Sequence, residues 1–303
     1  MMPRVAVMGA GAVGCYFGGM LARAGAPVML IARKPHVEVI NREGLLMDCL
    51  SFQERILTQA TTEIEAVREA QIVLLTVKTR DTEEVAKSLL PHLHPGIIVV
   101  SMQNGVDNVE RIRAASGIES IPAVVYVAAA MTAPGTVKHT GRGDLIFGSE
   151  TRPDDVDEVA PLFALAGIPC RVSDNIAGDL WVKMILNCAY NAISALTKAK
   201  YGTIMRTLWT REVMERIIEE CLMVARAAGV QMPKVNMVEA AVKLGEAMSQ
   251  AVSSTAQDIA AGRMTEIDSL NGYVVRRANE LGIPVPANQT LHGLVKLLEL
   301  GTN

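Results

Sequence analysis

The amino-acid sequence predicts a mixed α/β chain of two domains. Strands and helices alternate over residues 1–173, and helices alone fill residues 174–303. Three observations carry this prediction. The chain opens with a short apolar run, Arg4-Val-Ala-Val-Met8, that leads into a glycine cluster and then a helix-period stretch. Unbroken apolar runs at 72–75 and 97–100 have the length and β-branched content of strands buried on both faces, as in a parallel sheet. From about Ile176 onward, apolar residues recur at helical spacing and strand signals are few.

The first strand runs into Gly9-Ala10-Gly11-Ala12-Val13-Gly14, followed by a helix to about Ala24 with Gly25 as its stop. A second strand follows at 27–31. The GxGxxG spacing alone is a weak signal. Held between strand and helix within about 30 residues, it is the fingerprint of a Rossmann-like dinucleotide-binding domain. Gly9 permits the tight turn, Gly11 lets the backbone approach a pyrophosphate, and Gly14 lets helix and strand pack closely. The helix N-terminus offers free N–H groups to the phosphates. These six residues are the candidate cofactor loop; the competing reading is a glycine-rich turn with no ligand.

The end of the second strand selects the dinucleotide. An NAD site wants an Asp or Glu there for the ribose hydroxyls, but this chain has Ala32-Arg33-Lys34 and no acid before Glu38. Arg33 can fork onto a 2′-phosphate, which favours NADP. The alternative is a solvated basic strand end.

Residues 44–64 read as two short extended segments forming a hairpin insertion. The run at 72–78 ends in Lys78, and the run at 97–100 leads into Ser101-Met-Gln-Asn104-Gly105. Ligands of an open parallel sheet bind at the carboxyl ends of its strands, so Lys78 and Asn104 become cofactor-site candidates as a pair. Taken singly, each reads as a loop cap. A further strand at 121–130 finishes on small residues, and Ala130 is where a ring can approach the backbone. Thr136–His139 and Leu145–Phe147 read as antiparallel strands separated by a Gly141-Arg142-Gly143 turn. A helix over 155–166 and a short strand at 170–172 close the domain, with Ser173-Asp-Asn175 as the boundary.

The second half predicts helices at 176–196, 207–229, 234–251, 265–281 and 288–300. Its many methionines read as core filler. One stretch, Trp181-Val-Lys-Met-Ile-Leu-Asn-Cys-Ala-Tyr-Asn191, departs from a core helix. Lys183, Asn187 and Asn191 fall at i, i+4 and i+8, within about 80° of one another on one face, while apolar residues cover most of the rest. A narrow stripe of one cation and two amides suits the wall of a buried cleft. The alternative is a lysine that snorkels to solvent and asparagines that bond loop backbone. Ser253-Ser254 reads as the end of a helix. Thr265…Asp268 reads as a capping box opening the next one, with Glu266 complementing the helix dipole.

Composition excludes several functions. A net charge of −3 provides no basic field for nucleic acid or anionic membrane, and 4% aromatic content leaves few stacking platforms. Five scattered cysteines without CxxC spacing read as reduced thiols of a cytoplasmic protein. His92 and His94 have no third ligand near in sequence, so no metal is expected. No apolar run approaches the ~18 residues of a membrane span, and a strand by about Val5 leaves no room for a signal peptide.

Together, these residues resemble the 2-dehydropantoate 2-reductase (ketopantoate reductase) family over essentially the whole chain. The matching pieces are Gly9-x-Gly11-x-x-Gly14, Arg33, Val77-Lys78, Gln103-Asn104-Gly105 and Trp181-x-Lys183-x-x-x-Asn187-x-x-x-Asn191. Ser253-Ser254-x-x-Gln257-Asp258, Thr265-Glu266-Ile-Asp268-x-x-Asn271-Gly272 and Gly282-Ile-Pro-Val-Pro286-x-Asn288 follow in order. The resemblance implies an NADPH-dependent reductase of pantothenate biosynthesis that turns 2-dehydropantoate into (R)-pantoate. Lys183 would be the proton donor and Glu266 its partner, with Glu266 also beside the cofactor. Asn187, Asn191 and Ser254 would join Lys183 in holding the substrate; Lys78 and Asn104 would line the cofactor. The expected partners are a small 2-oxo acid and a second copy of the chain through the helical domain. One departure matters: where family members can carry another substrate-binding asparagine before a glycine, this chain has Tyr201-Gly202.

Two other readings compete. A β-hydroxyacid dehydrogenase also uses a helical Lys-x-x-x-Asn, but no Ser-Gly-Gly substrate loop occurs midway along the chain. A non-catalytic NADP-sensing regulator would need the glycine loop but has no use for Lys183, Asn187 and Glu266 together.

Overall fold

A computed structural model describes residues 2–301. The chain divides between Ile176 and Ala177 into two compact units. The first contains β1 (Val5–Met8), α1 (Ala12–Arg23), β2 (Val28–Ile31), α2 (Lys34–Glu43), β3 (Leu45–Asp48), β4 (Gln53–Ile56) and β5 (Gln59–Thr61). It continues through β6 (Ile72–Leu75), α3 (Thr82–Leu89), β7 (Ile98–Ser101), α4 (Asn108–Ser116), β8 (Ile121–Ala133), β9 (Thr136–Phe147), α5 (Pro153–Leu165) and β10 (Cys170–Val172). The strands make one sheet in the order β4-β3-β9-β8-β7-β6-β1-β2-β5, with β10 paired to β9.

The centre of this sheet is parallel: β1 pairs with β2 and β6, β6 with β7, and β7 with the start of β8. Helices cover both faces, which is why these strands are apolar without interruption. Val5, Val7, Leu74 and Val100 face a core shared with Phe17 and Leu21 of α1. Ala6, Val73, Leu75 and Val99 point the other way, onto Ala86 and Leu89 of α3 and Ile112 of α4. The two-residue period of a strand sorts them. Because the register aligns Met8, Ile31, Leu75 and Ser101, the loops after all four strands leave from one edge.

The insertion at 44–64 is a hairpin of β3 and β4 that joins the sheet beside β9, while β5 extends it beyond β2. Two features of β8 and β9 differ from the sequence reading. Gly141–Gly143 is not a turn between strands: β9 runs unbroken against β8, and the reversal lies at Pro134-Gly135. The glycine pair instead accompanies shifts in register, with Arg142 at φ 55° and Gly143 at φ 128°, the signature of a bulge. Bulge and turn share the same glycine-rich composition, so the sequence alone does not separate them. Likewise β8 does not stop at Ala130, which sits opposite Lys138 inside the ladder.

The second unit is helical: α6 (Ile176–Thr197), α7 (Tyr201–Arg206), α8 (Leu208–Ala227), α9 (Met237–Ala247), α10 (Ser254–Ala260), α11 (Asn271–Leu281) and α12 (Pro286–Leu300). An extended Thr207 separates α7 from α8. The expected helix at 234–251 is shorter at both ends, and Ser253-Ser254 begins a helix instead of ending one. Ser253 is the N-cap of α10, its hydroxyl accepting from Ala256 N–H at 3.0 Å. The expected helix from Thr265 is a 3₁₀ turn over Ile267–Ser269 followed by α11.

Two polar clusters tie these helices together. Glu220 of α8, 2% exposed, accepts from the backbone N–H groups of Ala287 and Asn288 (2.9 Å each) and from Asn288 Nδ2 (2.8 Å). Asn288 Oδ1 in turn accepts from Asn271 Nδ2 at 2.9 Å. A carboxylate thus satisfies the open N–H groups where α12 begins. In the second cluster Glu299, His292 and Lys296 of α12 hold the segment around Thr265 and Asp268. No helix among the described residues is long and apolar enough to cross a membrane.

Candidate active site

In the first unit the glycine loop follows β1. Gly9 has φ +91°, and a Cβ there would lie 2.5 Å from the Val77 side chain and 2.8 Å from the Val77 backbone nitrogen. A Cβ at Gly14 would lie 2.6 Å from Thr76 Oγ1 and 2.8 Å from Val7 Cγ1. Protein packing therefore explains both glycines. Gly11 differs: it is exposed, and its nearest neighbour is Gly9 O at 3.9 Å. No neighbouring protein atom requires glycine at position 11, and the space against this backbone is open. Gly11 is the N-cap of α1, whose first turn (Ala12, Val13, Gly14) carries no acidic side chain. The loop therefore fits a dinucleotide pyrophosphate, with open N–H groups and the positive end of a 12-residue helix. Thr76 fastens the loop by donating to Gly9 O at 2.8 Å, and Ala10 N–H donates to Ile31 O at 2.9 Å.

Arg33 caps α2 in extended backbone, two residues past the end of β2. Its side chain is exposed and has no hydrogen-bond or ion-pair partner among the described residues. Behind it, His36 Nδ1 accepts from Gly135 N–H at 3.3 Å, and burial followed by the Arg33 charge lowers the imidazole pKa.

Lys78 and Asn104 are tied through their neighbours. Thr79 Oγ1 donates to Asn104 O at 2.9 Å, and Asn108 Nδ2 donates to the same oxygen at 2.7 Å. Gln103, which the sequence reading cited only as part of a motif, is buried and bridges the two loops. Its Nε2 donates to Thr82 Oγ1 at 2.7 Å and to Val77 O at 3.1 Å, while Oε1 accepts from Ser101. Ala130 is half-buried within β8.

In the second unit, α6 carries the polar stripe. Lys183 and Asn187 are half-buried and Asn191 is 2% exposed. Among the described residues the Asn187 amide has no hydrogen-bond partner, and neither does Asn191 Nδ2. Asparagines that merely bonded loop backbone would show those bonds. Ser253 Oγ donates to Asn191 O at 3.2 Å, and Ser253 N–H donates to Ser194 Oγ at 3.2 Å. These bonds bring the start of α10, and the exposed Ser254 beside it, to the Asn191 end of the stripe.

Glu266 precedes the 3₁₀ turn and is not a capping residue of α11. The expected capping box does not form. Thr265 N–H and Oγ1 both donate to Glu299 Oε1, and Asp268 accepts from His292 and Lys296. The hydrogen bond from His292, then that from Lys296, holds the Asp268 carboxyl well below the usual carboxylate range against the opposing effect of burial. His292, Lys296 and Glu299 stand at i, i+4 and i+7, a spacing that puts them on one helix face.

Comparison with known proteins identifies the family. The model of "Ketopantoate reductase PanE/ApbA" matches residues 5–151, and that of the family's C-terminal domain matches 175–299. The 2-dehydropantoate 2-reductase of Pyrococcus horikoshii is 32% identical over 298 residues, covering 98% of this chain and 97% of the relative. That of Pyrococcus abyssi is 34% identical over 295 residues, covering 97% of each. A crystal structure of a PanE/ApbA family ketopantoate reductase from Ralstonia eutropha JMP134 superposes with a TM-score of 0.93 at 47% identity, covering 99% of both chains. A D-mandelate dehydrogenase solved with NADH and anilino(oxo)acetate shares the fold, with a TM-score of 0.93 at 22% identity and 99% coverage of both. The chain is an oxidoreductase and belongs to the ketopantoate reductase family.

Proposed function

We propose that this protein reduces 2-dehydropantoate to (R)-pantoate with NADPH. The observation that carries the proposal is the α6 stripe. A half-buried ammonium stands on one face with two amides that have N–H groups left to donate. Such a face suits a small anion with a carbonyl: amides bind carboxylate and hydroxyl oxygen without adding net charge, and the lysine supplies the one mobile proton. When bound, the reduced nicotinamide supplies the hydride that goes to the 2-oxo carbon.

The chain's own residues do the rest. Charge develops on the carbonyl oxygen during reduction. The Lys183 ammonium stabilises that charge and then gives its proton to the oxygen, a contribution of roughly 10²–10⁴-fold. Glu266 orients the ammonium and keeps it protonated. Asn187, Asn191 and Ser254 hold the substrate. The 9–14 loop, with Lys78, Asn104 and Ala130, holds the dinucleotide, and the unpartnered guanidinium of Arg33 takes the 2′-phosphate.

Tyr201 and the fold shared with a D-mandelate dehydrogenase keep a second 2-oxo acid substrate in view. Oxidation of NADPH followed optically with 2-dehydropantoate, other 2-oxo acids and 3-oxo acids decides between them. The proposal expects 2-dehydropantoate to give the highest kcat/KM. A higher value for another 2-oxo acid would replace the substrate and keep the chemistry, and no oxidation with any of them would refute an enzymatic role.

A further inference from the structure

Tyr201 stands at the start of α7, and its ring stacks on Tyr190 with centroids 4.3 Å apart and planes 22° apart.

Tyr190 is itself pinned, its hydroxyl donating to Ala241 O at 2.7 Å. The backbone of α7 is held as firmly, since Tyr201 N–H donates to Ala251 O at 3.0 Å and Gly202 N–H to Ser249 O at 3.1 Å. From this fixed position the Tyr201 hydroxyl donates to Asn191 Oδ1 at 3.2 Å. Burial pushes the Tyr201 phenol well above its ordinary pKa, so the hydroxyl keeps its proton and its role as a donor.

A primary amide has one acceptor oxygen and two N–H donors. The bond from Tyr201 fixes which way the Asn191 amide faces, with Oδ1 toward the phenol and the N–H groups turned away from it. Asn191 is 2% exposed, and its Nδ2 has no partner among the described residues. Nδ2 is therefore able to donate to a ligand oxygen.

We propose that Tyr201 is a specificity-determining residue: by holding Asn191 Oδ1 it orients the amide so that its N–H side reads an acceptor oxygen, the carboxylate of the 2-oxo acid. This rests on the reading of Asn191 as a substrate residue. A group that must itself donate, such as the NH₂ of a 2-oxo amide, finds no acceptor on that side of Asn191. Tyr201 touches the amide and not the reacting atoms, so it is a positioning residue.

Steady-state kinetics of the wild type, Tyr201→Phe and Asn191→Asp, with a 2-oxo acid and its 2-oxo amide, test this. Tyr201→Phe keeps the stacked ring and removes only the hydroxyl. It should raise KM for the acid about three- to tenfold, as for one lost hydrogen bond. It should also narrow the preference for acid over amide, with kcat and the KM for NADPH moving far less. Asn191→Asp keeps an acceptor for Tyr201 and puts a carboxylate oxygen where the donor was, so its KM for the acid should rise well beyond that of Tyr201→Phe. Thermal melts of both variants establish that they fold. A Tyr201→Phe enzyme with wild-type KM and acid-over-amide ratio overturns the inference and leaves the proposed reaction standing. So does an Asn191→Asp enzyme that binds the acid normally. A wild type that reduces no 2-oxo acid overturns both.

Discussion

Both the backbone N–H and the hydroxyl of Thr265 donate to a single carboxylate oxygen of Glu299, at 2.9 and 2.6 Å. Glu299 is 2% exposed and its other oxygen lies 2.7 Å from Lys296 Nζ. On the far side of Glu266, Asp268 is held by His292 at 2.7 Å and Lys296 at 2.9 Å. The residue proposed to partner Lys183 is thus tethered to α12 from both sides.

The pH dependence of stability tests that tether. Asp268 is held below its ordinary pKa, chiefly by the bond from His292. Such a carboxylate contributes stability that is fully present above the unfolded value of about 3.9 and is lost as pH falls through the lower folded value. Asp268→Asn should therefore melt below the wild type near neutrality, and the two melting temperatures should converge as pH falls below about 4. A gap that stays constant into acid contradicts the charge cluster.

Removing Glu220 should be far more damaging. Glu220→Ala leaves the Ala287 and Asn288 N–H groups and Asn288 Nδ2 without their acceptor in a site that is 2% exposed. The expected loss is about 3–5 kcal/mol of unfolding free energy, read from denaturant titration. A loss under about 1 kcal/mol would show that water replaces the carboxylate without penalty.

The glycine loop makes a paired prediction. Gly14→Ala brings a methyl within 2.6 Å of Thr76 Oγ1 and should destabilise the fold by about 1–3 kcal/mol. Gly11→Ala meets nothing nearer than 3.9 Å, so it should melt like the wild type while binding NADPH at least about tenfold more weakly. Calorimetric titration showing normal NADPH affinity in Gly11→Ala would remove the ligand from that space.

Arg33 should set the choice of dinucleotide. Arg33→Ala is expected to raise KM for NADPH by about tenfold or more, the loss of a charge-assisted contact, with little change for NADH. Equal weakening toward both cofactors, measured side by side, would contradict a 2′-phosphate role.

How much of this was legible in the sequence follows from the range of the forces involved. The glycine loop, the parallel strands and the α6 stripe are written in local spacing, so β1, α1, β2, β6, β7 and α6 stand where periodicity put them. Lys183, Asn187 and Asn191 share a face because helix geometry alone decides it. The misreadings arise where a local pattern has two solutions. Gly141 and Gly143 serve a bulge as well as a turn, and Ser253 begins a helix where it looked like an end. The contacts of Tyr201 with Asn191 and of Thr265 with Glu299 were out of reach, since each joins segments that only tertiary packing brings together. The i, i+4, i+7 spacing of His292, Lys296 and Glu299 was the one available hint of the second.

The most direct test of the account is the turnover of Lys183→Ala with 2-dehydropantoate and NADPH at saturation, alongside a thermal melt. The account predicts a kcat lower by at least about two orders of magnitude in a protein that folds and binds NADPH normally, because the variant lacks a contact made in the transition state. A Lys183→Ala enzyme that turns over at the wild-type rate would contradict it.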